Sequence, residues 1–297
     1  MGTRLNLRED GTARKFYRRA GVAEAVEGGK GFNVTLDGTP LRTPARRPMT
    51  FASEALAHAV AAEWEYQDAH AIRPFTMPLM ALTATSIDRT PHVRDQVVAN
   101  LSKHLDTDGA LCRSPRERAY GRVAALVDTS TLLESLDAEL ADVQAALLDP
   151  VLRRVERVLG GGAAFVPSDS LLGAPQSDET RAAVERHAAA LDDAELTALD
   201  ALCSSAKSVV LGLAFFHRLH EEAESDDGGR DLPDGTARAT AEALRAAIPL
   251  PLLLARVEEE FQAYKWGVVE GGHDIDRADL KVRLTAPMVY LRLRSDV

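Results

Sequence analysis

Only two cysteines, Cys112 and Cys203, occur in the 297 residues; they stand far apart and neither begins a CxxC. That spacing excludes a disulfide framework and a zinc-knuckle pattern. Aromatic residues make up 5% of the chain, a low share for a globular protein. Basic residues are outnumbered, 35 against 45, giving a formal charge of -10 and a pI near 5.3. A surface of that sign repels phosphate backbones and anionic bilayers, so nucleic acid is not an expected partner. The longest strongly apolar run, Val209–Phe216, has eight residues, far short of the roughly 20 that a membrane-spanning helix needs. Walker, GxSxG and dinucleotide-binding motifs are missing as well.

Alanine and leucine dominate what is present, which favours helix over strand. Residues 1–13 read as a disordered tail. Residues 14–52 read as a small β domain, with runs KFYRRAGVAEAV, GFNVTLDG, TPLRTP and PMTF and a hairpin signal at Asp37-Gly38. The glycines at 28, 29 and 31 are followed by no helix, so a hairpin loop explains them better than a phosphate cradle. This unit is too small to stand without neighbours.

Residues 53–297 read as a helical domain, giving an α+β fold. Ser53 is an N-cap candidate, and Leu56, Val60 and Trp64 fall on one face of the helix that it starts. Pro78 suits the first turn of the next helix. Further stripes run through Val93, Val97, Leu101 and Leu105, and through Leu133, Leu136, Leu140, Val143 and Leu147 past Pro150 to Val155 and Leu159. The stretch PSDSLLGAPQSDET is a loop. From Asp193 to about Glu224 a single helix is expected, buried on all sides at VVLGLAFF. Residues 221–235 form an acidic loop. Helices at Thr236–Ala247, Leu252–Lys265 and about Arg277–Leu293 follow, the last kinked or broken at Pro287.

In Leu252–Lys265, Leu254, Val257, Phe261 and Tyr264 form one apolar stripe. Trp266 projects nearly opposite it, close to Glu259, and Gly267 is the helix stop. Either a second packing contact or a surface for another molecule explains that tryptophan.

Other groupings carry little chemistry. His217, His220 and Glu221 have no third ligand that can be named, and HxxHE is not a zincin order. His273-Asp274 stands too near the end of the chain for the layout of a metal-dependent phosphohydrolase. Asp274, Asp276 and Asp279 are the wrong ladder for calcium and better suited to capping a helix. No active site, metal or cofactor is expected.

The order RKFY, LDGTPLRTP, AAEWEYQ, IRPFTMPLMALTATSID, HLDTD, DPVL and EEEFQAYKWGVVEGGHDIDRADLKVRL resembles the ATP12 family, assembly chaperones of the F1 sector of ATP synthase. The likeness runs from about Arg14 to Leu293. It implies a non-enzymatic protein of the mitochondrial matrix that binds the free F1 α subunit, without nucleic acid, membrane insertion or a small-molecule substrate. It also makes Glu259, Glu260, Trp266 and Glu270 candidates for α-subunit contact. Lysine at 260 and 270 is then expected to weaken capture with little change in melting. Trp64, with Glu63 and Gln67, and Asp88 are expected to be structural and to hold the domains together. A helical interaction module of another system, or a metal hydrolase, is the alternative.

Overall fold

A computed structural model describes residues 8–25, 31–115, 130–222 and 235–295. Residues 1–7 of the expected tail and 223–234 of the expected acidic loop lie outside them. The fold is α+β: a small antiparallel sheet near the N-terminus, then helices. Among the described residues no helix is long and apolar enough to cross a membrane, and both cysteines are free. The chain forms two compact units.

One unit gathers residues 1–97, 191–199 and 285–297. Its strands β1 (Ala20–Glu24) and β2 (Phe32–Leu36) pair antiparallel, with Ala20 opposite Leu36. β3 (Thr39–Pro40) folds back on β2 through Asp37-Gly38, both left-handed at φ 49° and 80°, as a two-residue hairpin turn requires. β4 (Thr50–Phe51) pairs with the other end of β2. Val34 and Leu36 of β2 turn inward against α1 (Glu54–Glu65), with Met49, Phe51, Leu56, Val60 and Trp64 in the same core. Ser53 caps α1 as expected, its Oγ accepting from Leu56 N at 3.2 Å.

The EWEYQ segment explains itself here. Both oxygens of Glu63 cap α2 (Pro78–Asp88), accepting from Leu79 N at 2.8 Å and Met80 N at 2.7 Å. Trp64 is buried edge-on to Tyr17, whose hydroxyl donates to the Trp64 carbonyl at 2.5 Å. Gln67 accepts from Arg73 N and donates to Thr76 Oγ1 and the Glu63 carbonyl, fixing the IRPFT bend. At the far end of α2, Asp88 accepts from Thr43 Oγ1 at 2.7 Å and Ala45 N at 2.9 Å. It thereby pins the turn that carries Arg46 at φ 65°.

The other unit gathers residues 98–190 and 200–284. Helices α3 (Thr90–Lys103) and α6 (Asp193–Ala206) each have residues in both units. Between them lie α4 (Ser130–Leu159), which runs unbroken through Pro150, and α5 (Asp178–Ala190). The side chain of Leu133 lies outside the described ones, while Leu140, Val143, Leu147, Val151 and Val155 of α4 are buried.

The expected single helix from Asp193 is instead three: α6, α7 (Val209–Phe216) and α8 (Leu219–Glu222). The breaks fall at Lys207 and Arg218, both left-handed, at φ 52° and 58°. Two carboxylate and hydroxyl caps make the first break favourable. Ser208 Oγ accepts from Leu211 N, and buried Asp108 accepts from Val209 N at 2.6 Å and Val210 N at 3.1 Å. These satisfy amides that a helix start leaves open. Seven consecutive residues of α7, Val209–Phe215, are buried. Gly212 is required there, since a Cβ would stand 2.2 Å from Cys203 Sγ.

The HLDTD and DPVL motifs are likewise internal fittings. Asp106 accepts from Gln176 N and from the Arg181 guanidinium, which hold its carboxyl below the usual carboxylate range. Asp149 pairs with Arg113 at 2.9 Å.

Candidate functional site

The C-terminal helices build the region on which the sequence places partner contacts. After α9 (Thr236–Ala247), Pro249 and Pro251 open α10 (Leu250–Ala255), and α11 (Val257–Trp266) follows. The expected continuous helix Leu252–Lys265 is therefore broken, at Arg256 (φ -140°, ψ 31°). Gly267 ends α11 at φ 95°, as expected. The last helix, α12 (His273–Ser295), starts earlier than expected and continues through Pro287.

Glu260 is not on the surface. It is 1% exposed, and its carboxylate accepts from Arg256 Nε at 3.2 Å and Arg277 Nε at 2.8 Å, with a second contact from the Arg277 guanidinium. Arg256 occupies the α10–α11 break and Arg277 the second turn of α12, so this carboxylate fastens three elements together. Glu260 in turn raises the pKa of Arg277. The surface placement of Glu260 is thereby corrected, and with it the ground for expecting lysine at 260 to leave melting unchanged: the helix face that looked solvated from residue types carries a buried ion cluster. Tyr264 departs the other way, 52% exposed at the end of an otherwise buried stripe.

Two of the remaining candidates face outward. Trp266 is 63% exposed, Glu270 is exposed and Glu259 half-buried. Trp266 stands on the rim of a groove of about 420 Å³, whose walls come from α4 (Leu136, Leu140, Gln144), the 112–115 segment, the 169–171 loop and α11. Phe261 contributes to its floor, and exposed Asp169 and Glu258 stand at its edge. Lys265 is turned away to Glu139 at 2.7 Å, with its ammonium over the Phe261 and Tyr264 rings. Leu171 of the groove lining and its neighbour Leu172 are fully exposed, and Val268 and Val269, which follow Trp266 closely in sequence, are more than half exposed. Exposed bulky apolar groups, where they are contiguous, mark surfaces that bind other molecules.

The histidine and aspartate groupings serve the backbone. His273 Nδ1 accepts from Val269 N at 3.2 Å, closing the turn into α12, where Asp274 and Asp276 occupy the first turn. His217 does not join His220; its Nε2 meets His187 Nε2. Among the described residues no three His, Cys, Asp or Glu side chains converge as a metal site.

Comparison with known proteins places this geometry. The family model described as ATP12 chaperone protein matches residues 14–156. Protein ATP12, mitochondrial, of Saccharomyces cerevisiae is 24% identical over 92% of this chain and 82% of its own length. The Schizosaccharomyces pombe protein of the same name is 23% identical over 96% and 84%. The crystal structure of Atp12 from Paracoccus denitrificans superposes with a TM-score of 0.66 at 25% identity, covering 95% of this chain and 98% of that one. The chain belongs to the ATP12 family.

The match to the ATP12 family model includes Trp64 and Asp88 but stops inside α4, before the groove's α11 wall and the 169–172 loop. Leu171 and Leu172 were missed in the sequence. The available signal was two adjacent leucines inside a loop otherwise built of Ser, Asp, Gly and Pro.

Proposed function

We propose that this ATP12 family member is an assembly chaperone of the F1 sector of ATP synthase, and that its client is the α subunit before it enters the ring. A ring subunit without its neighbours exposes apolar interface that aggregates. A chaperone for it needs a surface sticky enough to cover that interface and polar enough to be displaced. Trp266, Leu171 and Leu172 about a groove lined by apolar and polar side chains alike, with Asp169, Glu258, Glu259 and Glu270 close in sequence or at its edge, supply that mixture. The exposure of these three bulky side chains carries the reading. Glu260 acts as a positioning residue, holding α11 and α12 so that Trp266 and Glu270 face outward.

The reading involves no catalysis. The working compartment is the one in which F1 is built, which in a mitochondrion is the matrix. Trp64 and Asp88 belong to the scaffold, as their internal contacts support.

The test is capture of isolated F1 α and β subunits by the purified full chain. Retention of α in preference to β and to assembled F1 is expected. The variant Trp266→Ala/Glu270→Lys should lose α while keeping its circular dichroism and melting profile. Equal retention of α and β, or full retention of α by that variant, overturns the proposal.

A further inference from the structure

α5 and α7 bring together two imidazoles that the proposed function does not use. His187 lies in the last turn of α5 and His217 caps the C-terminus of α7. Their Nε2 atoms are 3.0 Å apart and their rings cross at 61°. Both are half-buried, and the Phe216 ring packs edge-on against each. A hydrogen bond between two neutral rings accounts for the contact only if one ring keeps its proton on Nε2. If both carry the proton on Nδ1, two lone pairs face one space.

That spacing is also the bite of a chelate. Two imidazole nitrogens held ~2.0–2.1 Å from one ion are about 2.9 Å apart at a right angle and about 3.4 Å apart at the tetrahedral angle. The observed 3.0 Å is close to the right-angled, tetragonal case, which Cu²⁺ and Ni²⁺ prefer over Zn²⁺. The Irving–Williams order favours the same ions. We propose that His187 and His217 form a binding site for one divalent transition-metal ion, Cu²⁺ ahead of Ni²⁺ and Zn²⁺, through their two Nε2 atoms.

Burial and the neighbouring ring lower the pKa of His217 to about 4, so its lone pair is not lost to protonation at neutral pH. Binding moves the Nε2 proton of the donor ring to its Nδ1, with no net change of charge on the protein. No third His, Cys, Asp or Glu among the described residues completes the set, so those residues leave the other positions to water. The hard ions Ca²⁺ and Mg²⁺ are then excluded by the nitrogen donors. The bound ion would cross-link the C-terminal ends of α5 and α7 and stabilise the folded chain by mass action.

The experiment uses the EDTA-stripped full chain, titrated with CuCl₂ by calorimetry in a weakly coordinating buffer. Electron paramagnetic resonance of the equimolar complex reports the donor atoms. One tight Cu²⁺ per chain with two imidazole nitrogens is expected, together with a raised melting temperature. His187→Ala and His217→Ala should each weaken it by more than the roughly 10–100-fold that loss of an outer-shell partner costs. His58→Ala, whose ring is 63% exposed, should leave it unchanged. Fewer than two imidazole nitrogens in the wild-type spectrum overturns the proposal, whether or not the variants fold. Undiminished affinity in the double variant does the same.

Discussion

The bend after α1 and the rim of the α11 groove have opposite physical characters. At the bend, Glu63 and Gln67 place their side-chain polar atoms on backbone amides, a carbonyl and a hydroxyl, and the tryptophan between them is buried. At the rim, a tryptophan and two leucines stand in solvent. Side chains of the first kind lower the free energy of the chain that carries them. Those of the second kind contribute almost nothing to it, and their benefit comes only when another surface covers them. The comparison predicts that stability and client capture separate along the chain, with Glu260 on the stability side despite its position two residues from Glu258 of the rim.

The largest effect belongs to Glu260→Lys. It would place an ammonium where Arg256 and Arg277 both point, replacing their shared buried counter-charge with a third cation and leaving Arg256 only the exposed Asp276, at 4.0 Å. Breaking a buried ion pair costs about 3–5 kcal/mol, and in a chain of this size that lowers the melting temperature by roughly 10 °C. Glu259→Lys, one residue away and half-buried, should shift it by a small fraction of that. Melting curves for both variants test the contrast; equal shifts would remove Glu260 from the scaffold.

A middle-sized effect is expected at Glu63, and it depends on pH. Burial pushes its pKa up to about 7, against the pull of the two amides it accepts. A carboxyl raised in the folded state contributes its stability fully below the unfolded pKa. The contribution is lost as pH rises through the folded one. Unfolding free energy should therefore fall between about pH 4.5 and pH 7 by at most about 3 kcal/mol on account of this group. Urea unfolding at pH 5 and pH 7.5 measures it. Glu63→Gln, which does not titrate, should flatten that part of the profile; an unchanged slope assigns the dependence elsewhere.

The same contrast decides what could be read from the sequence. Ser53, Leu56, Val60, Trp64 and Pro78 were legible because caps and helical periodicity are local, and so was the Asp37-Gly38 turn. The breaks at Lys207 and Arg256 were not, because their causes are remote in sequence. Asp108 caps α7 from a hundred residues away, and Arg277 reaches Glu260 from the next helix. The helical projection separated Trp266 correctly from its stripe, yet it could not separate Glu259, half-buried, from Glu260, buried. One residue of helix rotation is 100°, and which side of an acidic run faces inward depends on where the arginines sit. His187 was unmarked for the same reason, since its partner is thirty residues away.

The smallest stability effect should come from the most conspicuous side chains. Leu171→Ser/Leu172→Ser removes two bulky apolar groups that touch water on nearly every side, 104% and 93% exposed. The Leu172 amide and the loop backbone are held independently of these side chains: Ser170 Oγ accepts from Leu172 N, and Ala174 N donates to the Asp106 carbonyl. Nothing in the fold is left unpaired by the exchange, so the unfolding free energy should move by no more than about 0.5 kcal/mol. Capture of the F1 α subunit should drop together with that of the Trp266 variant, since both lie on one groove. A stability loss of several kcal/mol would mean that the loop leucines are packed in solution, and the division into scaffold and rim would fail at its clearest point. Unchanged stability with undiminished capture would keep the division and move the client surface off this groove.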